Sequence, residues 1–522
     1  MRLTRLYHTV KYLKFKQIAF RIKYKAQRII SFRYPFNDTK NHRSYQWLTT
    51  LPSIPNKTLW NDEEFTFIGI SHRFKGLPDW ELDCYGKLWT YNLNYFDFLN
   101  QDGFPVKKGL ELMHHFYETL QSGSVGSEPY PASLRGINWI RFLSVNRIHD
   151  EKIIGSLYNQ YRHLSQNIEY HLLGNHLLEN GFSLFIGGIF FRDKRFLLQG
   201  EKILREQLSE QILPDGAHFE LSPMYHQIIF NRLLDTINIL KHQQYHERDL
   251  LPFLEKKASA MASWLINICW KNGTIPLVND AAPDISPDAK QLLSYCKQLN
   301  INPVSNLHLS SSGYRKFEGK RFELLADAGP IGPDYIPGHG HADMLHFDIH
   351  VDGKPFLQDT GTSTYENNKV RHYERSTMAH NTVTCGDWNQ SDVWSSFRVG
   401  KRAKISIHED EPKVLRASHH GYTDLGIIHE RTFSAFEDHI IIKDKLSGYG
   451  NRSGKARFHF APGIVPVISS NIIETPLAVL RFNHAANILP EDCEMAVSFN
   501  NRIKATKIVV TFNDHLETTI TF

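Results

Sequence analysis

A helical array followed by an all-β half is the fold this sequence predicts, and three observations carry it. From about residue 60 to 300 apolar residues recur every three or four positions, whereas after about residue 305 they alternate. At the change stands a Ser-rich stretch, Ser310-Ser311-Ser312-Gly313, placing the boundary between Asn300 and Ser312. At 522 residues the chain is too long for one ordinary core. The expected division is a basic N-terminal helical segment at 1–55, a helical domain at 56–305 and a β domain at 306–522.

The first 30 residues hold nine Lys or Arg and no acid. Leu3, Leu6, Val10, Leu13, Ile18 and Ile22 recur among them at helical spacing. The segment reads either as a basic helix docked on the body or as a peripheral contact with an anionic membrane through residues 1–30. No secretory apolar core fits there, so the expected compartment is the cytoplasm or the periphery of the inner membrane, with the periplasm also open. No later window reaches the roughly 18 apolar residues of a membrane span.

Helical patterns follow at 109–121, 153–180, 196–213 and 227–242, punctuated by Pro214-Asp215-Gly216 and Lys271-Asn272-Gly273. In the second half, the alternation from His346 to Val351, then Asp352-Gly353 and Pro355-Phe356-Leu357, is a hairpin signal. Further strands are expected at 403–408, 426–433, 439–443, 457–460 and 507–512. Five cysteines without metal-like spacing read as buried thiols. The balance of 60 basic to 55 acidic residues, with a pI near 8.7, is compatible with a polyanionic ligand. No nucleic-acid partner is expected, and the oligomeric state stays open.

The densest chemical signal is Gly338-His339-Gly340-His341-Ala342-Asp343. In extended chain His339 and His341 point the same way, and with Asp359 and His380 downstream they offer a plausible zinc set. Among 28 histidines, a single His-x-His is weak support by itself. His346 and His350, alternating with core residues, read as the solvent face of a strand. In the helical half, Asn175 and His176 sit side by side in an apolar helix with Glu179 one turn on, which the residues alone favour as a buried hydrogen-bond network joining neighbouring helices. Tyr225 follows the loop Asp215 to Ser222. Tyr91, Asn94, Arg135, Trp139 and Arg141 interleave aromatics with polar groups in a way that suits sugar rings and carboxylates, and suits helix packing as well.

Taken together, Asn175-His176 with Glu179, Glu220 through Tyr225, His339-Gly340-His341-Ala342-Asp343, Asp359 and Ala379-His380-Asn381-Thr382-Val383 resemble the heparinase II/III-like family of polysaccharide lyases, which includes related alginate lyases. The resemblance spans roughly residues 80 to 400. It implies an incomplete (α/α) toroid followed by an antiparallel β-sandwich. It also implies catalytic roles for Tyr225 and His339, carboxylate-engaging roles for Asn175 and His176, and zinc on His341, Asp359 and His380.

The implied reaction is β-elimination on a uronic-acid-containing polysaccharide or oligosaccharide. The basic N-terminus, standing where degradative members carry a secretion signal, points to synthesis or trimming of a bacterial surface polysaccharide. Two other readings stay open. One is a glycoside hydrolase using carboxylates such as Glu179, Asp215, Glu220 and Asp280. The other is a non-catalytic glycan-binding or assembly protein.

Overall fold

A computed structural model describes residues 2–29, 44–243, 249–304, 307–450 and 452–522. Parts of the expected N-terminal segment, and residues 305–306 at the expected boundary, lie outside it. Two helices open the chain, α1 (Arg2–Val10) and α2 (Phe15–Ile29). They pack on the body: Arg5 pairs with Asp392, Arg402 donates to the His8 carbonyl, and the Gln17 amide reaches the carbonyls of Leu172 and Tyr335. A three-stranded sheet comes next, β1 (Trp60–Asn61), β2 (Glu64–Phe67) and β3 (Ile70–Arg73), where only helix was expected. Its short alternating run, Glu64 to Phe67, sends Phe65 and Phe67 into the helical core.

The array then runs α3 (Lys87–Tyr95), α4 (Val106–Thr119), α5 (Pro129–Val145), α6 (Glu151–Gln166), α7 (Gly174–Phe190), α8 (Lys194–Gln211), α9 (Pro223–His242), α10 (Leu250–Ile268) and α11 (Ala289–Gln298). The pattern at 153–180 is two helices, not one. The chain breaks between α6 and α7, where Leu173 and Gly174 both take positive φ, at 67° and 58°. The break moves Asn175 and His176 from mid-helix to a first turn, beside Glu220 and Glu169. Gly174 is required: besides its φ, a Cβ there would stand 2.8 Å from the Glu220 carboxylate.

The second half is a sandwich. One layer is the antiparallel sheet β4 (Tyr314–Glu318), β5 (Phe322–Asp327), β6 (Phe347–Val351) and β7 (Lys354–Leu357). Asp352 and Gly353, with φ of 51° and 73°, form the turn between the last two. The other layer is a larger sheet built on the strands 405–411, 414–419, 427–435, 439–448, 453–459, 479–498 and 501–521. Their inner faces share one apolar core, with Leu324, Phe347 and Phe356 against Phe433, Phe458 and Val510.

β6 is buried on both faces, which corrects the reading of His346 and His350 as solvent-facing. The helical domain covers the outer face of the small sheet, so His350 stacks on Trp270 at 4.0 Å and His346 lies in a buried cluster. Cys84 is exposed, in a turn ahead of α3; the other four cysteines are buried thiols.

Candidate active site

Tyr225 is held by its helix start. Ser222 caps α9 by accepting from the Tyr225 amide, Pro223 supplies the preset φ of a first turn, and the Tyr225 ring meets His339 and Tyr365 of the β half. Across from it, the loop before β6 presents His339, whose ring centroid lies 4.0 Å from that of Tyr225. Gly340 lets this loop close in, since a Cβ there would fall 1.9 Å from the Ile331 carbonyl oxygen. His339 Nδ1 donates to Asp280 at 2.8 Å, which leaves Nε2 as the free nitrogen, 3.8 Å from Glu220. Glu220 accepts from the backbone and the side-chain amide of Asn175, at 3.3 and 3.2 Å. His176 pairs with Glu169 at 3.0 Å and lies beside the Tyr130 ring.

The electrostatics separate the roles these groups can take. Burial pushes the Tyr225 phenol well above the ordinary tyrosine range, and Tyr365, Asp280 and Glu220 add to the shift. The shift favours the protonated hydroxyl, the form that a general acid requires. Burial raises the Glu220 carboxyl too, against the opposing effects of His339 and Asn175. His176 is the converse case: burial alone would lower it, but Glu169, Glu220 and Glu128 outweigh this and raise it above the ordinary histidine value.

The family described as heparinase II/III N-terminus matches residues 133–304, and the heparinase II/III-like C-terminal domain matches residues 304–521. The chain belongs to the heparinase II/III-like family. Among curated relatives, a heparin-sulfate lyase of Bacteroides stercoris is 23% identical over 326 residues, covering 56% of this chain and 46% of that protein. A heparin-sulfate lyase of Pedobacter heparinus is 25% identical over 275 residues, covering 48% of this chain and 41% of that protein. The chain thus spans about half the length of the curated relatives it matches. A solved heparinase III shares the fold with a TM-score of 0.64 at 15% identity, covering 86% of this chain and 80% of that one. A chondroitinase AC lyase follows at 0.53 and 9% identity, over 89% of this chain and 78% of that one. The fold common to these proteins is a helical toroid followed by antiparallel β-sheets.

In this heparinase II/III-like chain most of the residues expected to bind substrate do other work. Asn94 donates to the carbonyls of Trp80 and Thr90, and Arg135 is spent on Gln160 and the carbonyls of Asn94 and Gly126. Trp139 is wholly buried between Phe96 and Phe116. Arg141 donates to the Ile54 carbonyl, and buried Glu179 pairs with Arg232. Asn94, Arg135, Trp139 and Glu179 are corrected to packing residues, since burial removes them from any ligand, whereas Arg141 is half-buried with one hydrogen bond to the protein. Tyr91 differs: it is half-buried, bonds Glu128, and begins an aromatic row through Tyr95 and Tyr130 to His176.

The residues expected to hold metal divide between two overlapping groups that share His380. One is His341, Asp343 and His380; the other is His346, Asp359 and His380. In the first group, His341 Nδ1, Asp343 Oδ2 and His380 Nε2 are buried without a hydrogen-bond partner. The opposite nitrogens of the two rings are oriented by carboxylates, His341 by Asp280 at 3.0 Å and His380 by Asp359 at 2.8 Å. Orphaned buried ligand atoms of this kind, the two rings buttressed from behind, are what a zinc ion requires. The residues present fit the metal. Of the expected ligands, His341 and Asp359 fall in different groups, and His380 belongs to both.

Asp280, Glu220, Glu169 and Tyr365 were not singled out for these roles from the sequence. Each is a lone polar residue outside any spaced motif, although Glu220 stood inside a quoted block.

Proposed function

We propose that this chain cleaves an acidic, uronate-containing polysaccharide by β-elimination. The observation that carries the reading is the Tyr225–His339 pair, ring centroids 4.0 Å apart and linked through Glu220 to Asn175. Removing the weakly acidic C5 proton builds charge on the adjacent carboxylate. The Asn175 amide and protonated His176 supply donors for that charge in a water-poor cleft. His339 Nε2 takes the C5 proton, the C–H electrons become the C4–C5 double bond, and the C4–O bond breaks. The departing oxygen takes its proton from Tyr225. Proton return from His339 to the tyrosinate then restores both groups.

The names of the curated relatives favour a glycosaminoglycan substrate; alginate and bacterial surface polysaccharides complete the panel. Ultraviolet scanning is expected to detect an unsaturated uronate product that His339→Ala no longer forms. Saturated fragments would instead favour a hydrolase, and no fragments at all a binding role.

The charge on His176 sets an alkaline limit. Its raised value means that the Glu169–His176 pair contributes stability in full below the ordinary histidine range and loses it as pH rises through the raised one. Affinity for an acidic glycan should follow the same course: KM is expected to rise on that alkaline limb, and His176→Gln to flatten it. A KM profile identical in the two proteins counts against the role.

Zinc held by His341, Asp343 and His380 would be structural, a bound cation bracing the loop that carries His339. The N-terminal helices supply a second surface. Leu6, Tyr7, Val10, Phe15, Ile18 and Ile22 stand exposed on α1 and α2, next to exposed Lys11, Lys23 and Lys25. Apolar side chains rimmed by cations complement an anionic bilayer. The protein should float with anionic and not with neutral vesicles, and Phe15→Glu with Ile22→Glu should abolish this; equal flotation of the variant defeats the idea.

A further inference from the structure

Asn279 and Asp280 lie in the connection between α10 and α11, far in sequence from every motif of the site, yet they touch both sides of it. On one side, the Asn279 amide donates to the Leu221 carbonyl at 3.1 Å, and the Ser222 hydroxyl donates to the Asp280 carbonyl at 2.9 Å. Leu221 and Ser222 are the cap of the helix that carries Tyr225. On the other side, the Asp280 amide donates to the His339 carbonyl at 3.1 Å, and the His341 amide donates to Asn279 Oδ1 at 2.9 Å. The fully buried Asp280 carboxylate then accepts from His339 Nδ1 at 2.8 Å, from His341 Nε2 at 3.0 Å and from both terminal nitrogens of Arg371. Asn279 takes φ of 54°, a left-handed conformation that a short amide side chain tolerates and that turns the two side chains toward the incoming loop.

We propose that Asn279-Asp280 is the positioning element of the site, a toroid dipeptide that sets the orientation and the tautomer of a histidine belonging to the β domain. The inference rests on the acid and base roles assigned above to Tyr225 and His339. A carboxylate can only accept, so whichever imidazole nitrogen faces Asp280 must carry hydrogen, and His339 Nε2 is left with its lone pair free. The same two residues hold the Tyr225 helix cap, so the 4.0 Å spacing of the two rings is set from one point of backbone. Stability alone gives no reason for such a cluster: a buried ion pair replaced by apolar groups of similar volume is often neutral or stabilising. Arg371 grips the same carboxylate with both terminal nitrogens and so fixes its orientation toward the two imidazoles.

The test is Asp280→Asn, nearly isosteric, in which an amide hydrogen facing Nδ1 favours the opposite tautomer, with hydrogen on Nε2. On a glycan that the wild type cleaves, kcat is expected to fall by about 10³-fold, with KM within about threefold of wild type. Because Arg371 would be left without its counter-charge, Asp280→Asn combined with Arg371→Met removes both charges together and guards against misfolding; the same kcat loss is expected. A kcat within about fivefold of wild type in a folded variant, or KM moving in step with kcat, overturns the proposal. The crystal structure of Asp280→Ala gives a readout independent of turnover. His339 is expected to leave its place over the Tyr225 ring, and an unmoved ring overturns the proposal. Should the wild type cleave nothing, the lyase reading fails and that crystal structure alone decides the positioning role.

Discussion

Tyr225→Phe is expected to lower kcat on an acidic glycan by about 10²–10⁴-fold, the span over which general acid catalysis contributes. The substitution keeps the ring, and with it the packing against His339. What it removes is one hydroxyl whose partner is the Tyr365 hydroxyl at 3.3 Å. Such a bond contributes about 1 kcal/mol or less to stability, so the melting temperature should barely move. KM should also hold, since the proton is needed only as the C–O bond breaks. Tyr365→Phe is the control: it takes away the other hydroxyl of the same contact, and a loss below about tenfold is expected because that group is assigned no proton transfer. Equal losses in the two variants would mean that the pair acts through structure, and the acid role of Tyr225 would fall.

The second large effect concerns the metal. The purified protein is expected to contain about one zinc per chain, on the ligand count of a buried His, Asp, His site. Dialysis against a strong chelator should lower the melting temperature by several degrees. A ligand bound only by the folded state stabilises by about 4 kcal/mol when its free concentration is about 1,000 times Kd. His380→Ala should abolish binding, because His380 belongs to both possible ligand groups, whereas Asp359→Asn should weaken it, because Asp359 only orients the His380 ring in the first group. Should Asp359→Asn lose the ion while Asp343→Asn keeps it, the second group, with His346, is the true one. A protein without zinc whose melting is indifferent to chelator refutes the site.

The two halves of the fold were legible because their signals are local. Helical spacing gives way to alternation where the last toroid helix ends at Gln298 and the first sandwich strand begins at Tyr314. Each pattern needs only neighbouring residues to be read. The His339 and His341 pair was legible for the same reason, being two residues apart in one loop. The break between α6 and α7 was missed because the apolar period runs across it, and what breaks it is a pair of positive φ angles at Leu173 and Gly174 that leave no mark in hydrophobicity.

Residue type alone could not separate contact with sugar from contact with protein. Asn94, Arg135 and Trp139 have the chemistry of a glycan site and are buried in helix packing, because the same hydrogen-bond donors and aromatic faces serve both purposes. What the sequence determined by itself was the order of the helical and β halves and the family motifs in which Tyr225 and His339 stand. What tertiary structure decided was which groups surround them. Asp280 lies 59 positions from His339, and the carboxylate of Glu220 meets Asn175 across 45. The first proximity is created by docking the toroid against the sandwich and the second by packing α7 beside the start of α9, and no local periodicity encodes either.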